Sequence, residues 1–125
     1  MDEKFFRDLL KDRRIYYWTK EINETLYIHY KGFKRIENLQ WFPQLKVLYL
    51  EGNGIERIEG LQHCVNLRCL YLHENCIRKI ENLEMLKELN NLNLAENFIS
   101  KIENLTELTS LHSLNLRRNK IGRDG

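Results

Sequence analysis

Hydrophobic residues recur along this chain with a period of 22 residues. Three leucine columns keep this spacing: Leu45, Leu67, Leu89 and Leu111; Leu48, Leu70, Leu92 and Leu114; Leu50, Leu72, Leu94 and Leu116. Further hydrophobic columns follow in the same register: Ile55, Ile77, Ile99 and Ile121; Ile58, Ile80 and Ile102; Leu61, Leu83 and Leu105. Since many positions agree without a gap, most of the chain consists of copies of one structural unit.

The pattern inside each unit predicts two kinds of local structure. Leu48 and Leu50 are separated by one residue, and this alternation predicts a short strand with one buried face. Beyond Asn53 the hydrophobic spacing changes to three, which is the period of the 3₁₀-helix. The unit L-x-x-L-x-L-x-x-N-x-I is typical of the leucine-rich repeat. We therefore expect an α/β fold: a leucine-rich repeat solenoid with a short parallel sheet on its concave face and 3₁₀ turns and extended segments on its convex side.

The beginning of the chain departs from the repeat. Residues 3–13 have a helical hydrophobic pattern, with Phe6, Leu9, Leu10 and Arg13 on one face. We expect residues 1–22 to be an N-terminal capping helix and lead-in. Residues 23–125 then hold about 4.5 repeats of 22 residues, the first of them degenerate, with the C-terminal end uncapped.

An asparagine column follows the strands at Asn53, Asn75, Asn97 and Asn119. A side-chain amide has donors and acceptors, so each asparagine can bridge backbone groups of adjacent repeats where the chain leaves the strand. We predict a structural asparagine ladder at these positions. The first repeat has Lys31 instead, which lacks an acceptor, so its turn must be completed differently.

The pentapeptide KIENL occurs at residues 79–83 and again at 101–105. Its isoleucine and leucine belong to the core columns. Its glutamate and asparagine are expected to face outward on the convex side. Stacking should then align two columns of opposite charge, Glu37, Glu59, Glu81 and Glu103 beside Arg35, Arg57, Lys79 and Lys101. We interpret this surface as solvated, because exposed pairs contribute only tenths of a kcal/mol.

The strand residues that point away from the core form the candidate functional surface. We predict a protein-binding concave face that consists of Tyr27, His29, Tyr30, Tyr49, Glu51, Tyr71, His73, Glu74, Asn93, Asn115 and Arg117. Stacked tyrosines offer a large contact area and keep a hydroxyl, as residues at binding hot spots do. The alternative is that tyrosine simply suits the surface of a strand.

Other chemistry has little support in the sequence. His29 and His73 flank Glu51, but they lie two strands apart, which is too far for both to ligate one metal ion. Two imidazoles that share one carboxylate are the better interpretation. No C-x-x-C, G-x-S-x-G, phosphate-binding glycine loop or H-E-x-x-H occurs. We therefore predict a protein that is not an enzyme, without catalytic residues, cofactor or metal.

Charge and hydropathy along the chain predict its partners and its compartment. Its formal net charge of +2 makes nucleic acid an unlikely partner, and it has no apolar run long enough to span a membrane. The charged N-terminal residues do not resemble a signal peptide. We expect a cytoplasmic protein in which Cys64, Cys69 and Cys76 are free thiols.

Residues 26–39, LYIHYKGFKRIENL, are more specific than the repeat itself. This phrase resembles the opening of the leucine-rich domain in the dynein axonemal assembly factor 1 family. A basic helix before it and the segment LKVLYLEGNGIERIEGL after it are also similar to that family. Lys20 departs from it, because a proline is usual there.

The resemblance implies a non-catalytic factor that helps to preassemble dynein arms in the cytoplasm, before they reach a cilium or flagellum. The partners it implies are axonemal dynein chains, chaperones or other assembly factors. Two alternatives stay open: a regulatory subunit of a protein phosphatase, since such regulators share the 22-residue unit, and a structural component of an RNA–protein particle.

Overall fold

The computed structural model describes residues 1–11 and 24–122, and for residues 9–11 only the backbone. In this part of the chain there are one α-helix and five strands: α1 Glu3–Lys11, β1 Thr25–Tyr27, β2 Val47–Tyr49, β3 Cys69–Tyr71, β4 Asn91–Asn93 and β5 Ser113–Asn115. The predicted N-terminal helix is confirmed from Glu3 to Lys11. Residues 12–23, which include Lys20 and the predicted boundary at residue 22, lie outside the described residues, and the domain division stays a prediction.

The strands form one parallel sheet in chain order, from β1 to β5. Every strand pairs with the next at an offset of 22 residues, so that Leu26 lies beside Leu48, and Leu48 beside Leu70. The same register joins Leu92 to Leu70 and to Leu114. The predicted solenoid with a parallel sheet is therefore confirmed.

The returning segments consist of tight turns with hydrogen bonds between residues three apart. In the second repeat the Cys64 amide donates to the Leu61 carbonyl at 3.0 Å, and the Leu67 amide to the Cys64 carbonyl at 3.1 Å. The third repeat has the same pair of bonds, and a 3₁₀-helix spans Leu39–Trp41 in the first. The hydrophobic spacing of three thus has its expected structural origin, because it keeps each apolar side chain on the core side of a three-residue turn.

Burial is complete in the middle of the solenoid and decreases in the last repeats. Ile58 and Ile80 have no exposed surface, whereas Ile102, at the equivalent position, is 56% exposed. The prediction that the whole isoleucine column belongs to the core is wrong for this residue. The next position of this column, 22 residues later, is Asp124 and not an isoleucine, and it lies outside the described residues.

Helix α1 covers the first repeat. The Asp2 carboxylate accepts a hydrogen bond from the Phe5 amide at 2.8 Å, the geometry of an N-cap. Phe6 is 3% exposed, and its ring lies 5.0 Å from that of Phe42. The Met1 side chain is also buried, so this segment closes the N-terminal end of the core.

The four asparagines after the strands bridge adjacent repeats. The Asn75 side-chain oxygen accepts hydrogen bonds from the amides of Asn53 and Ile55, both at 3.1 Å. Its nitrogen donates to the carbonyls of Leu50 and Leu72, both at 3.0 Å. The other asparagines of this ladder are Asn53, Asn97 and Asn119. Asn53 also binds the amide of Lys31 at 2.9 Å, which completes the turn that lacks its own asparagine.

A second column of asparagines bridges the repeats on the convex side. Asn82 and Asn104, the asparagines of the two KIENL segments, adopt left-handed backbone conformations with φ of 60°. Each donates to an isoleucine carbonyl of the preceding repeat at 2.7 Å. Asn38 does the same to the carbonyl of Met1. Asn104 is exposed and Asn82 half-buried, so these side chains lie on the surface as expected, but their bonds to the preceding repeat were not predicted.

Charged residues on the convex side pair diagonally between repeats. Arg35 lies 3.5 Å from Glu59, and Arg57 lies 3.5 Å from Glu81. The cations are mostly exposed, so each pair contributes little to stability. This surface fits the interpretation of a solvated face.

Candidate functional site on the concave face

The register of the sheet brings three tyrosines together. Tyr27, Tyr49 and Tyr71 occupy the same position in β1, β2 and β3. Their rings stack with centroids 4.7 Å apart and 8° between planes, for both neighbouring pairs. This spacing equals the distance between adjacent strands. We call these three residues the tyrosine stack. The Tyr49 ring is packed between the rings of Tyr27 and Tyr71. Tyr27, at the edge of the sheet, is 36% exposed.

The local environment raises the pKa of two tyrosines of the stack. Burial raises the pKa of the Tyr49 hydroxyl above its ordinary value, and the charges of Tyr27, Cys69 and Glu51 raise it further. Burial is also the main cause of the raised pKa of Tyr71. A tyrosine with a raised pKa in the folded state stabilises the fold below its unfolded pKa. This contribution disappears as the pH rises through the folded pKa.

We therefore expect the free energy of unfolding to fall above about pH 10, where tyrosine ionises. Denaturant unfolding at a series of alkaline pH values, with tyrosinate absorbance in parallel, measures the effect. The control is the double variant Tyr49→Phe with Tyr71→Phe, which keeps the rings but cannot ionise. An equally steep alkaline loss in that variant would assign the effect to other groups.

A polar row lies beside the tyrosine stack, formed by His29, Glu51 and His73; we call it the His–Glu–His row. Backbone hydrogen bonds extend the strand register into it, from the Tyr30 amide to the Glu51 carbonyl at 2.9 Å and from the Gly52 amide to the His73 carbonyl at 3.1 Å. The side chains are half-buried. Three of their atoms, His29 Nδ1, Glu51 Oε1 and His73 Nδ1, are buried without a hydrogen-bond partner. These atoms do not make the hydrogen bonds that two imidazoles sharing one carboxylate would require.

The Tyr30 side chain, in the first repeat, crosses the second repeat and reaches the third. Its hydroxyl donates a hydrogen bond to the Glu74 carboxylate, 44 residues away. The ring crosses Gly52, where a Cβ atom would lie 2.0 Å from it. Hydrogen bonding to Glu74 is the main cause of the raised pKa of Tyr30. One sequence feature indicated this bridge: the position of Gly52 is occupied by a larger residue in every other repeat.

The second half of the concave face carries hydrogen-bond donors. Asn93 and Asn115 use their side-chain oxygens to bind the amides two residues later, both at 3.0 Å. Their amide nitrogens, which can only donate, form no hydrogen bond in the described chain. Arg117 is exposed. A hollow of about 480 Å³ lies over the small Ala95 side chain, and His73 and Arg117 are among its lining residues. The amide nitrogens of Asn93 and Asn115 can therefore donate to acceptor groups of a ligand, and Glu74 and Glu96, which also line the hollow, can accept from donors.

The cysteines and the acidic groups give no indication of redox or metal chemistry. Cys64, Cys69 and Cys76 are free thiols, and burial raises the pKa of Cys64 to about 11. Among the residues that the structure describes, no three histidine, cysteine, aspartate or glutamate side chains are placed to hold a metal ion. No helix within residues 1–11 and 24–122 is long and apolar enough to cross a membrane.

Known proteins share both the repeat and part of the sequence. The family model of leucine-rich repeats, in two copies, matches residues 43–86. Dynein axonemal assembly factor 1 of Peromyscus polionotus is 48% identical over 48 residues, which cover 38% of this chain and 8% of that protein. The human protein of the same name is 46% identical over 48 residues, covering 38% of this chain and 6% of its own length. The matched segment is thus a small part of those relatives.

The solved structures agree on the fold. An internalin C2 from Listeria monocytogenes superimposes with a TM-score of 0.74 at 30% identity, covering 79% of this chain and 44% of its own. Leucine-rich repeat folds and assembly-factor relatives are typical of non-catalytic proteins that bind other proteins. The chain therefore has the leucine-rich repeat fold, and its sequence is similar to dynein axonemal assembly factor 1, which confirms the resemblance to that family.

Proposed function

We propose that this chain is a non-catalytic scaffold that binds proteins through its concave face during the cytoplasmic assembly of axonemal dynein arms. The similarity to dynein axonemal assembly factor 1 supports the biological setting. Under this proposal the partners are axonemal dynein chains, or chaperones and other assembly factors that act with them. The protein then works in the cytoplasm of cells that build cilia or flagella.

The tyrosine stack is the observation that carries the binding surface. Each of its rings lies 4.7 Å from the next, so together they form one flat aromatic strip on an open sheet. Such a strip needs little ordering on binding, because its side chains are already held in one conformation. Aromatic residues with a polar end are also those most enriched at binding hot spots.

The double variant Tyr49→Ala with Tyr71→Ala tests the proposal. We expect it to reduce capture of an axonemal dynein heavy chain from ciliated-cell extract by about tenfold or more, since hot-spot truncations have effects of this size. Circular dichroism should stay native, because both side chains are on the sheet surface. Quantitative pull-down with the purified chain measures capture.

The matched control is Phe98→Ala. Phe98 is 44% exposed and contacts Lys120 on another part of the surface, so its loss removes an aromatic ring outside the concave face. Capture should be unchanged in this variant. Equal capture by the double variant and the unmodified chain would contradict the concave-face site. Recovery of a phosphatase catalytic subunit in place of dynein chains would contradict the assembly role.

A further inference from the structure

The His–Glu–His row contains three buried polar atoms that nothing in the described chain satisfies. They are the Nδ1 atoms of His29 and His73 and the Oε1 atom of Glu51. Folded proteins pair nearly all such atoms, and exceptions often mark a binding site. The three lie side by side, two residues beyond the ends of β1, β2 and β3, because the backbone bonds of Tyr30 and Gly52 keep the register. Their coincidence in one row points to a missing donor.

The charge of Glu51 is also uncompensated. No ion pair of the described residues includes it, and Lys46, which precedes β2, is paired with Glu24 at 3.4 Å. The surrounding side chains are tyrosines and histidines, and Glu74 is bound by Tyr30. Burial is the largest cause of the raised pKa values of Tyr49 and Tyr71, and the charge of Glu51 is a smaller cause. This half of the concave face is therefore complementary to a cation.

We propose that the His–Glu–His row binds a lysine or arginine side chain of the protein partner. The cationic group donates to the Glu51 carboxylate, and an arginine guanidinium also reaches an imidazole nitrogen on either side, which accepts when the histidine is neutral. The methylene stem lies along the tyrosine stack, as such stems do on apolar surfaces. This inference rests on the proposed function, and it names the chemistry that the concave face selects.

A metal ion would not satisfy the same atoms. His29 and His73 are separated by the strand that carries Glu51, so their distance is about twice the strand spacing of 4.8 Å. Ligation of one ion needs bonds of about 2 Å from every ligand. A guanidinium has donors on separate nitrogens and can span such a row, and an ammonium can bind Glu51 alone, whereas one ion cannot be ligated by both histidines.

Selection of displayed random peptides on the purified chain provides the test. We expect the selected peptides to share a lysine or arginine at one fixed position. Glu51→Gln keeps the shape of the side chain but removes its charge, and it should weaken binding of a selected peptide about tenfold or more. Glu56→Gln, an exposed glutamate of the same repeat beyond Asn53, should change affinity by less than about twofold.

A second measurement separates binding from a structural role. Because Glu51 is charged and unpaired, Glu51→Gln should unfold at the same temperature as the unmodified chain or at a higher one. A lower unfolding temperature would show that the carboxylate supports the fold, and would overturn the inference.

Two other outcomes are decisive and distinguishable. In the first, the selected peptides share no basic residue but bind the Tyr49→Ala, Tyr71→Ala variant more weakly than the unmodified chain. This result would overturn the inference and leave the proposed function standing. So would peptides that bind Glu51→Gln as well as the unmodified chain. If no peptide binds the concave face, both the inference and the proposed binding surface are contradicted.

Discussion

Replacing Asn75 with alanine should lower the free energy of unfolding by about 3 kcal/mol or more. The side chain is 5% exposed and satisfies two amides and two carbonyls of its own and adjacent repeats. Alanine leaves the two amides without an acceptor, whereas each carbonyl keeps a bond from Asn53 or Asn97. Each unsatisfied group costs about 1–3 kcal/mol when solvent cannot replace the bond. Denaturant unfolding followed by circular dichroism measures the change.

Two variants identify the cause of that loss. Asn75→Asp keeps the size and the accepting oxygen but removes both donors, so it should destabilise the chain although it creates no cavity. Asn66→Ala removes an exposed asparagine with one bond of 3.4 Å, and its effect should stay within about 0.5 kcal/mol. If Asn66→Ala were as damaging as Asn75→Ala, the ladder would have no special role.

The second large effect is expected from Gly60→Ala. Gly60 has a φ of 76°, and a Cβ atom there would lie 2.4 Å from the backbone oxygen of Ile36. The added methyl group must therefore push two repeats apart, in addition to the strain of alanine in a left-handed conformation. We expect a loss of about 2 kcal/mol or more, measured by thermal and denaturant unfolding.

Gly32→Ala is the matched control for the steric contact. Gly32 has a nearly identical φ of 78°, but a Cβ atom added there would have nothing within 4 Å of it. This variant should show the conformational strain alone, about 1 kcal/mol. The difference between the two variants measures the close approach of the first two repeats at Gly60. Equal losses would mean that the repeats can separate there freely.

The arrangement of the concave face was predictable because it depends only on the period. A gap-free spacing of 22 residues places Tyr27, Tyr49 and Tyr71 side by side in any parallel stack. The core leucines and the 3₁₀ turns follow from the same register. The sequence cannot give the side-chain conformations of His29 and Glu51, since several rotamers are compatible with one strand position.

The convex asparagines have a structural role that was not predicted, although the sequence contains its pattern. Asn38, Gly60, Asn82 and Asn104 form one column. Glycine and asparagine both tolerate a left-handed backbone, so their occurrence in one column indicates that conformation. The solvated charge columns of KIENL do not indicate it. The Tyr30–Glu74 bond was harder to find, because it joins residues two repeats apart.

The constant offset of 22 residues between strands also bears on how the chain folds. Each pairing step closes a loop of the same length, so the entropy lost on loop closure does not grow as further repeats join. Any adjacent pair of repeats can serve as a nucleus from which order spreads in both directions. The Tyr30–Glu74 bond reaches past the nearest neighbour and thereby couples melting of the first repeat to that of the third.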